Sequence, residues 1–251
     1  MVFLKVYEIY NYLNSFAPFN TAMDFDNVGL LVGDWKADIS GIVVTLDCYN
    51  ETIDQAISLN ANLIITHHPV IFNGVKKIPS TSLLHRLIAN NITVISMHTN
   101  LDIANGGVND VLCEKLGLTD CKVYNTEDGF PLRIGELKSP TLADNFAKSL
   151  KAALNVTVKY SASSNLIKRV AVCSGSGGDF IFDSIKFGAD ALVTSDIKHN
   201  FFVDAALNDF SLFDCGHFNT EDVIITPLCD LIKNNFDIPV FESHFSKIKY
   251  L

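Results

Sequence analysis

Asn62-Leu-Ile-Ile-Thr66-His67-His68-Pro-Val-Ile-Phe72 is the stretch whose reading decides the fold. A short β-branched run such as residues 62–66 reads as a buried strand of an α/β sheet, and side chains just past its carboxyl end face the crevice where such sheets bind ligands. Two adjacent imidazoles at that point suggest a metal. The competing reading is a strand end where one histidine caps the core and the other faces water. Working outward, apolar runs of strand length recur at residues 41–46, 92–97, 170–173, 191–194 and 211–213, with helical patterns between most of them. Asn50 is expected to cap a helix over residues 51–59, Ser80 or Thr81 one over 83–89, and Thr141 with Asp144 one over 146–154. Alternating strand and helix imply right-handed crossovers and mostly parallel sheets flanked by helices.

Residues 57–66 align without gaps on residues 185–194, keeping Ile, Ala and Thr in register, and each expected strand runs into polar residues: His67 and His68 in one copy, Ser195, Asp196 and His199 in the other. This points to a weak internal duplication, although any two helix-turn-strand units could match as well. The expected architecture is α/β, with two related lobes packed around a shared cleft. Residues 1–120 would form the first lobe and 166–251 the second. Residues 121–165, with strand-like alternation at 132–137 and 155–160, would bridge them.

With 48% hydrophobic and 19% charged residues, the chain has the composition of an ordinary globular protein, and a net charge of -9 argues against generic binding to nucleic acid or anionic membranes. The amino-terminal stretch from Met1 to Leu13 breaks its apolar residues with Lys5, Glu8 and Asn11, a helical period rather than a signal-peptide core. None of the six cysteines forms a Cys-x-x-Cys pair, which fits a reducing cytoplasm.

Two further polar clusters follow strands. Ser96-Met-His-Thr-Asn-Leu-Asp102 supplies His98 and Asp102, and Asp214-Cys-Gly-His-Phe-Asn-Thr-Glu221 supplies His217 and Glu221, which share a helix face if a helix starts near His217. A doubly wound sheet gathers the carboxyl ends of its strands on one edge, so His67, His68, Asp102, His217 and Glu221 would form one set of five nitrogen and oxygen donors. A single zinc uses three or four protein ligands, so five favour two ions. Two divalent ions roughly 3.5–4 Å apart activate a shared water and polarise an electrophile. With no thiolate among these donors, zinc, iron, manganese or cobalt would fit. Asp47 could hold a ligand imidazole or cap a helix. His98 could support a metal ligand, act as an acid/base group or be structural, and Asp196 and His199 could contact substrate or orient ligands, or simply cap the next helix. The turn Asn105-Gly106-Gly107 could cradle an anion or be a plain turn.

Asp26-Asn-Val-Gly-Leu30, Thr66-His-His-Pro-Val-Ile-Phe72, His98-Thr-Asn-Leu-Asp102 with Gly106-Gly107, and Gly216-His-Phe-Asn-Thr-Glu221 together resemble the GTP cyclohydrolase 1 type 2 homologue family. The resemblance implies metal ligation by the same five residues, a dinuclear site between two lobes, and a toroidal homohexamer in a short form without the inserted domain of longer members. It also implies a hydrolase in which metal-activated water attacks a nucleotide ring or related substrate; in such a reaction His98 or His199 could carry the proton. Where members often have a second histidine, this chain has Asn200. The alternative is a non-enzymatic metal-binding oligomer that stores, senses or scaffolds.

Overall fold

The structure, a computed structural model, describes residues 4–127 and 129–249. In chain order its strands are β1 (Gly29–Val32), β2 (Ile42–Thr45), β3 (Leu63–Thr66), β4 (Thr93–Ser96), β5 (Thr119–Asn125), β6 (Pro131–Thr141), β7 (Lys159–Ser161), β8 (Ile167–Ser176), β9 (Ala191–Ser195), β10 (Ser211–Asp214) and β11 (Val240–Ser243). The chain divides into two units, Met1–Asn105 with Ile224–Leu251, and Gly106–Val223. This differs from the expected boundaries at 120 and 165. Strands β5 and β6 belong to the sheet of the second unit rather than to a bridge, and the last 28 residues of the chain return to the first unit because β11 pairs with β2.

The first unit holds a sheet of order β1-β4-β3-β2-β11, in which only β1 runs antiparallel. Strands β2, β3 and β4 are buried at every position, as unbroken apolar runs in a doubly covered parallel sheet should be. On one face Val43, Ile64 and Val94 pack with Ile53 and Ala56 of the helix Asn50–Ser58 and Leu87 of the helix Leu83–Ala89. Alternation sends Ile42, Val44, Leu63, Ile65 and Ile95 to the other face, where they are also buried, and the helix Ile225–Lys233 lies against β2 and β11.

The second unit holds a sheet of order β5-β6-β8-β9-β10-β7. Its centre, β8-β9-β10, is parallel as expected, whereas β5, β6 and β7 add antiparallel pairs, so this sheet is mixed. The helix Ala143–Leu154 lays Phe146, Ala147, Leu150 and Leu154 against Val170, Val172, Val193 and Phe213. Of the strand expected over 155–160, only Lys159–Ser161 forms. Among the described residues no helix is long and apolar enough to cross a membrane.

Capping differs from the sequence expectation in each helix named. Asn50 is already helical, and Thr52 Oγ1 accepts the Tyr49 N–H (3.1 Å). Ser82, not Ser80 or Thr81, caps the helix Leu83–Ala89 by accepting from His85 N (3.2 Å). Leu142 occupies the cap position of the helix Ala143–Leu154. The aligned positions Asn60 and Gly188 do share one conformation, a left-handed residue closing a helix, with Ala61 N–H bonded to Ala56 O and Ala189 N–H to Ser184 O. The same turn recurs at Asn91, Gly117 and Asp209, so the likeness of residues 57–66 to 185–194 reflects what any helix-turn-strand joint here requires.

Candidate metal centre

In the first unit the strand register assembles the donors. Thr45, Thr66 and Ser96 lie level on β2, β3 and β4, and the ladder continues past them through His67 N to Thr45 O (3.0 Å), His68 N to Leu46 O (3.0 Å) and Met97 N to Thr66 O (2.8 Å). Asp47, His68 and His98 therefore leave the same sheet edge at equivalent positions. His67, His68 and His98 each offer a ring nitrogen within 4.8 Å of the others. Asp102, on the short helix Thr99–Ile103, brings Oδ1 to 3.7 Å from His67 Nε2.

Each imidazole is held through Nδ1. His67 donates it to Met97 O (2.9 Å), His68 to Asp47 Oδ1 (2.8 Å) and His98 to Asp26 Oδ1 (2.8 Å). Such bonds fix the tautomer and ring orientation, and in metal proteins they also raise the basicity of the other nitrogen. Asp26, which the sequence does not single out as a candidate, is the carboxylate that holds His98. Its loop lies 72 residues before His98, and only the Asp-Asn-Val-Gly motif marks it. Burial alone would raise the Asp26 carboxyl, but hydrogen bonds from His98 and from Thr99 Oγ1 and N, with the charge of His98, hold it at about 2. Because this folded value lies below the ordinary aspartate value, the stabilisation is complete above about pH 4 and is lost as pH falls through 2. Asp26→Asn is expected to cost about 2 kcal/mol at pH 7 and progressively less towards pH 2, as read by urea unfolding across that range.

In the second unit Gly216, at φ 74°, turns the chain from β10 into the helix His217–Glu221. His217 and Glu221, one turn apart, meet at 2.9 Å between Nε2 and Oε2, and His217 Nδ1 donates to Asp196 Oδ2 at 2.6 Å. Asp196 thus takes the orienting role open to it in the sequence. Glu221 is 3% exposed, whereas His199, which starts the helix His199–Leu207 after β9, is exposed. Gly175, at φ 60°, gives the Glu221 carboxylate its room: a Cβ there would collide with Oε1 and come within 3.3 Å of His217 Nε2. Gly175→Ala is expected to lower Tm by about 5 °C, from about 1–2 kcal/mol of backbone strain, and to displace Glu221. Gly74→Ala, in open space, is the matched control and should change neither stability nor metal content. The Asn105-Gly106-Gly107 turn holds an anion of the chain's own, since Gly106 N donates to Asp110 Oδ2 at 2.7 Å.

Parallel strands in each unit of this α/β protein therefore run into imidazole and carboxylate groups, with His68, His98 and His217 each backed by a further carboxylate and His67 by a backbone carbonyl, a donor set of the kind that could hold a metal. The family model described as Duf34/NIF3 (NGG1p interacting factor 3) matches residues 4–249, and the chain belongs to that family. It is 36% identical to a Clostridium perfringens protein named GTP cyclohydrolase 1 type 2 homolog, over 94% of each chain, and 34% identical to a Campylobacter jejuni protein of the same name, over 92% of this chain and 93% of the other. The crystal structure of a Staphylococcus aureus hypothetical protein superposes with a TM-score of 0.93 at 29% identity, covering all of both chains.

Proposed function

We propose that the protein is a metal-dependent hydrolase that takes up two divalent ions, zinc, iron, manganese or cobalt, on His67, His68, Asp102, His217 and Glu221. The observation that carries this reading is the common anchoring of the histidines: Nδ1 of His67, His68 and His217 is engaged by Met97 O, Asp47 or Asp196, and Nε2 of His67 and His217 is turned towards a carboxylate. The donor set fits such ions, with three imidazoles, two largely buried carboxylates and no thiolate, and Gly175 leaves space beside Glu221 that a side chain would fill. Bound ions would supply Lewis acidity and lower the pKa of a water towards ~7.

The chain's own residues do the rest. Asp26 fixes the His98 tautomer with the proton on Nδ1, leaving Nε2 as the basic nitrogen that accepts and returns a proton. His199, exposed at its helix start, is the second proton carrier to test. The names of the relatives direct the substrate search to a nucleotide ring, and the family likeness extends the proposal to a homohexamer working in the cytoplasm. The deciding experiment assays GTP, other nucleotides and phosphoesters with each of several divalent metals. Turnover that requires metal and disappears in His98→Gln supports the reading. Two bound ions with no turnover of any nucleotide would leave a storage, sensing or scaffold protein instead.

A further inference from the structure

We infer that Cys113 and Cys121 form a reversible dithiol–disulfide pair, an oxidation site in the second unit separate from the proposed metal ligands. Cys121 lies in a β-bulge: Thr119 pairs with Glu136 and Lys122 with Ile134, so β5 carries one residue more than β6 over this stretch, with Asp120 at φ 53°. A bulge re-aims a side chain, and here the space it uses is the missing side chain of Gly135, whose Cβ would collide with Cys121 Sγ. Cys113, buried on the helix Val108–Lys115, lines the same surface cavity as Cys121, together with Asp110, Glu114 and Leu118. The neighbouring Cys113 thiol holds Cys121 below the usual thiol range, while Cys121 and burial push Cys113 up, so the exposed Cys121 is the nucleophile and Cys113 the resolving thiol.

With a peroxide as oxidant, the Cys121 thiolate attacks the O–O bond, an S–O bond forms and hydroxide leaves. Cys113 sulfur then attacks Cys121 sulfur, the S–S bond replaces S–O, and the oxygen departs as water. Overall, two thiols and one hydrogen peroxide give one disulfide and two waters, and a thiol reductant returns the two electrons. The helix carrying Cys113 also supports β8, through Ser174 N donating to Asn109 Oδ1 (2.7 Å), next to Gly175 and the His217–Glu221 helix.

The test treats reduced full-length protein with hydrogen peroxide, counts thiols and maps peptides without reduction. The six thiols should fall by two, with a peptide linking Cys113 to Cys121 that dithiothreitol dissolves. Cys48 and Cys229, both pushed up to about 12 chiefly by burial, and the buried Cys173 and Cys215 are internal controls that should persist. Cys113→Ser should carry Cys121 on to sulfinic acid, and Gly135→Ala, by displacing the sulfur, should reduce the yield of linked peptide. Thiol loss spread evenly over the cysteines, or a linked peptide joining Cys121 to any other cysteine, would overturn the assignment.

Discussion

Purified protein is expected to carry about two divalent ions per chain, and both His68→Ala and Glu221→Gln to strip them while the fold survives. His68 sits at a sheet edge with its side chain a quarter exposed, so truncation there opens no core cavity. Glu221 is different. It is nearly buried, and a buried carboxylate costs several kcal/mol unless charge or hydrogen bonds compensate it, which a cation would do. Glu221→Gln keeps the shape and removes the charge, so apo protein should tolerate it. Because an ion bound only to the folded state stabilises by about 2.7 kcal/mol at a hundredfold excess over Kd, excess zinc or manganese should raise Tm in the parent protein and not in either variant. Elemental analysis with circular dichroism reads both results. Unchanged metal content in a folded variant would remove that residue from the ligand set.

The second large effect concerns stability alone. Arg133 on β6 is 1% exposed, its guanidinium paired through Nε with Asp110 of the helix Val108–Lys115 and donating from Nη1 to Pro131 O (3.0 Å). Asp110 is partly exposed but Arg133 is not, so removing Asp110 leaves a charge in a poorly polarisable interior, which costs about 3 kcal/mol, whereas replacing the buried cation by an apolar side chain of similar length costs little. Asp110→Ala is therefore expected to lower unfolding free energy by about 3 kcal/mol, and Arg133→Met in the same background to recover most of it. Denaturant titration of the single and double variants checks this. Additive losses would mean that the ion pair is not what Asp110 contributes.

What the sequence shows of this fold is what is buried on both sides. Strands β2, β3, β4, β9 and β10 stand out as uninterrupted apolar runs because helices cover both faces of their sheets. Strands β1, β5 and β11 escape such a reading. Gly29 and Gly33 frame β1 as though it were a loop, and β5, Thr-Asp-Cys-Lys-Val-Tyr-Asn, is almost wholly exposed, so its pairing with β6 leaves no periodic trace. The caps shift by a residue or two because serine, threonine and asparagine can serve at any of several neighbouring positions. In the site, the histidines are legible since they directly follow buried strands, and so is the His217–Glu221 pair, whose spacing is one helical turn. Asp26 and Gly175 are not, because each meets its partner across more than forty residues and no local spacing records that meeting.

The strand β11 closes an edge of the first sheet more than a hundred residues after the rest of that sheet has been made, and everything between Gly106 and Val223 belongs elsewhere. During synthesis the second unit emerges whole while the first still lacks its last strand, leaving the Ile42–Thr45 backbone open to pairing with other chains. The unit that begins the chain is thus the last to be completed, with the guest finished before the host. The nascent chain is most exposed to aggregation in the interval before Val240–Ser243 leaves the ribosome.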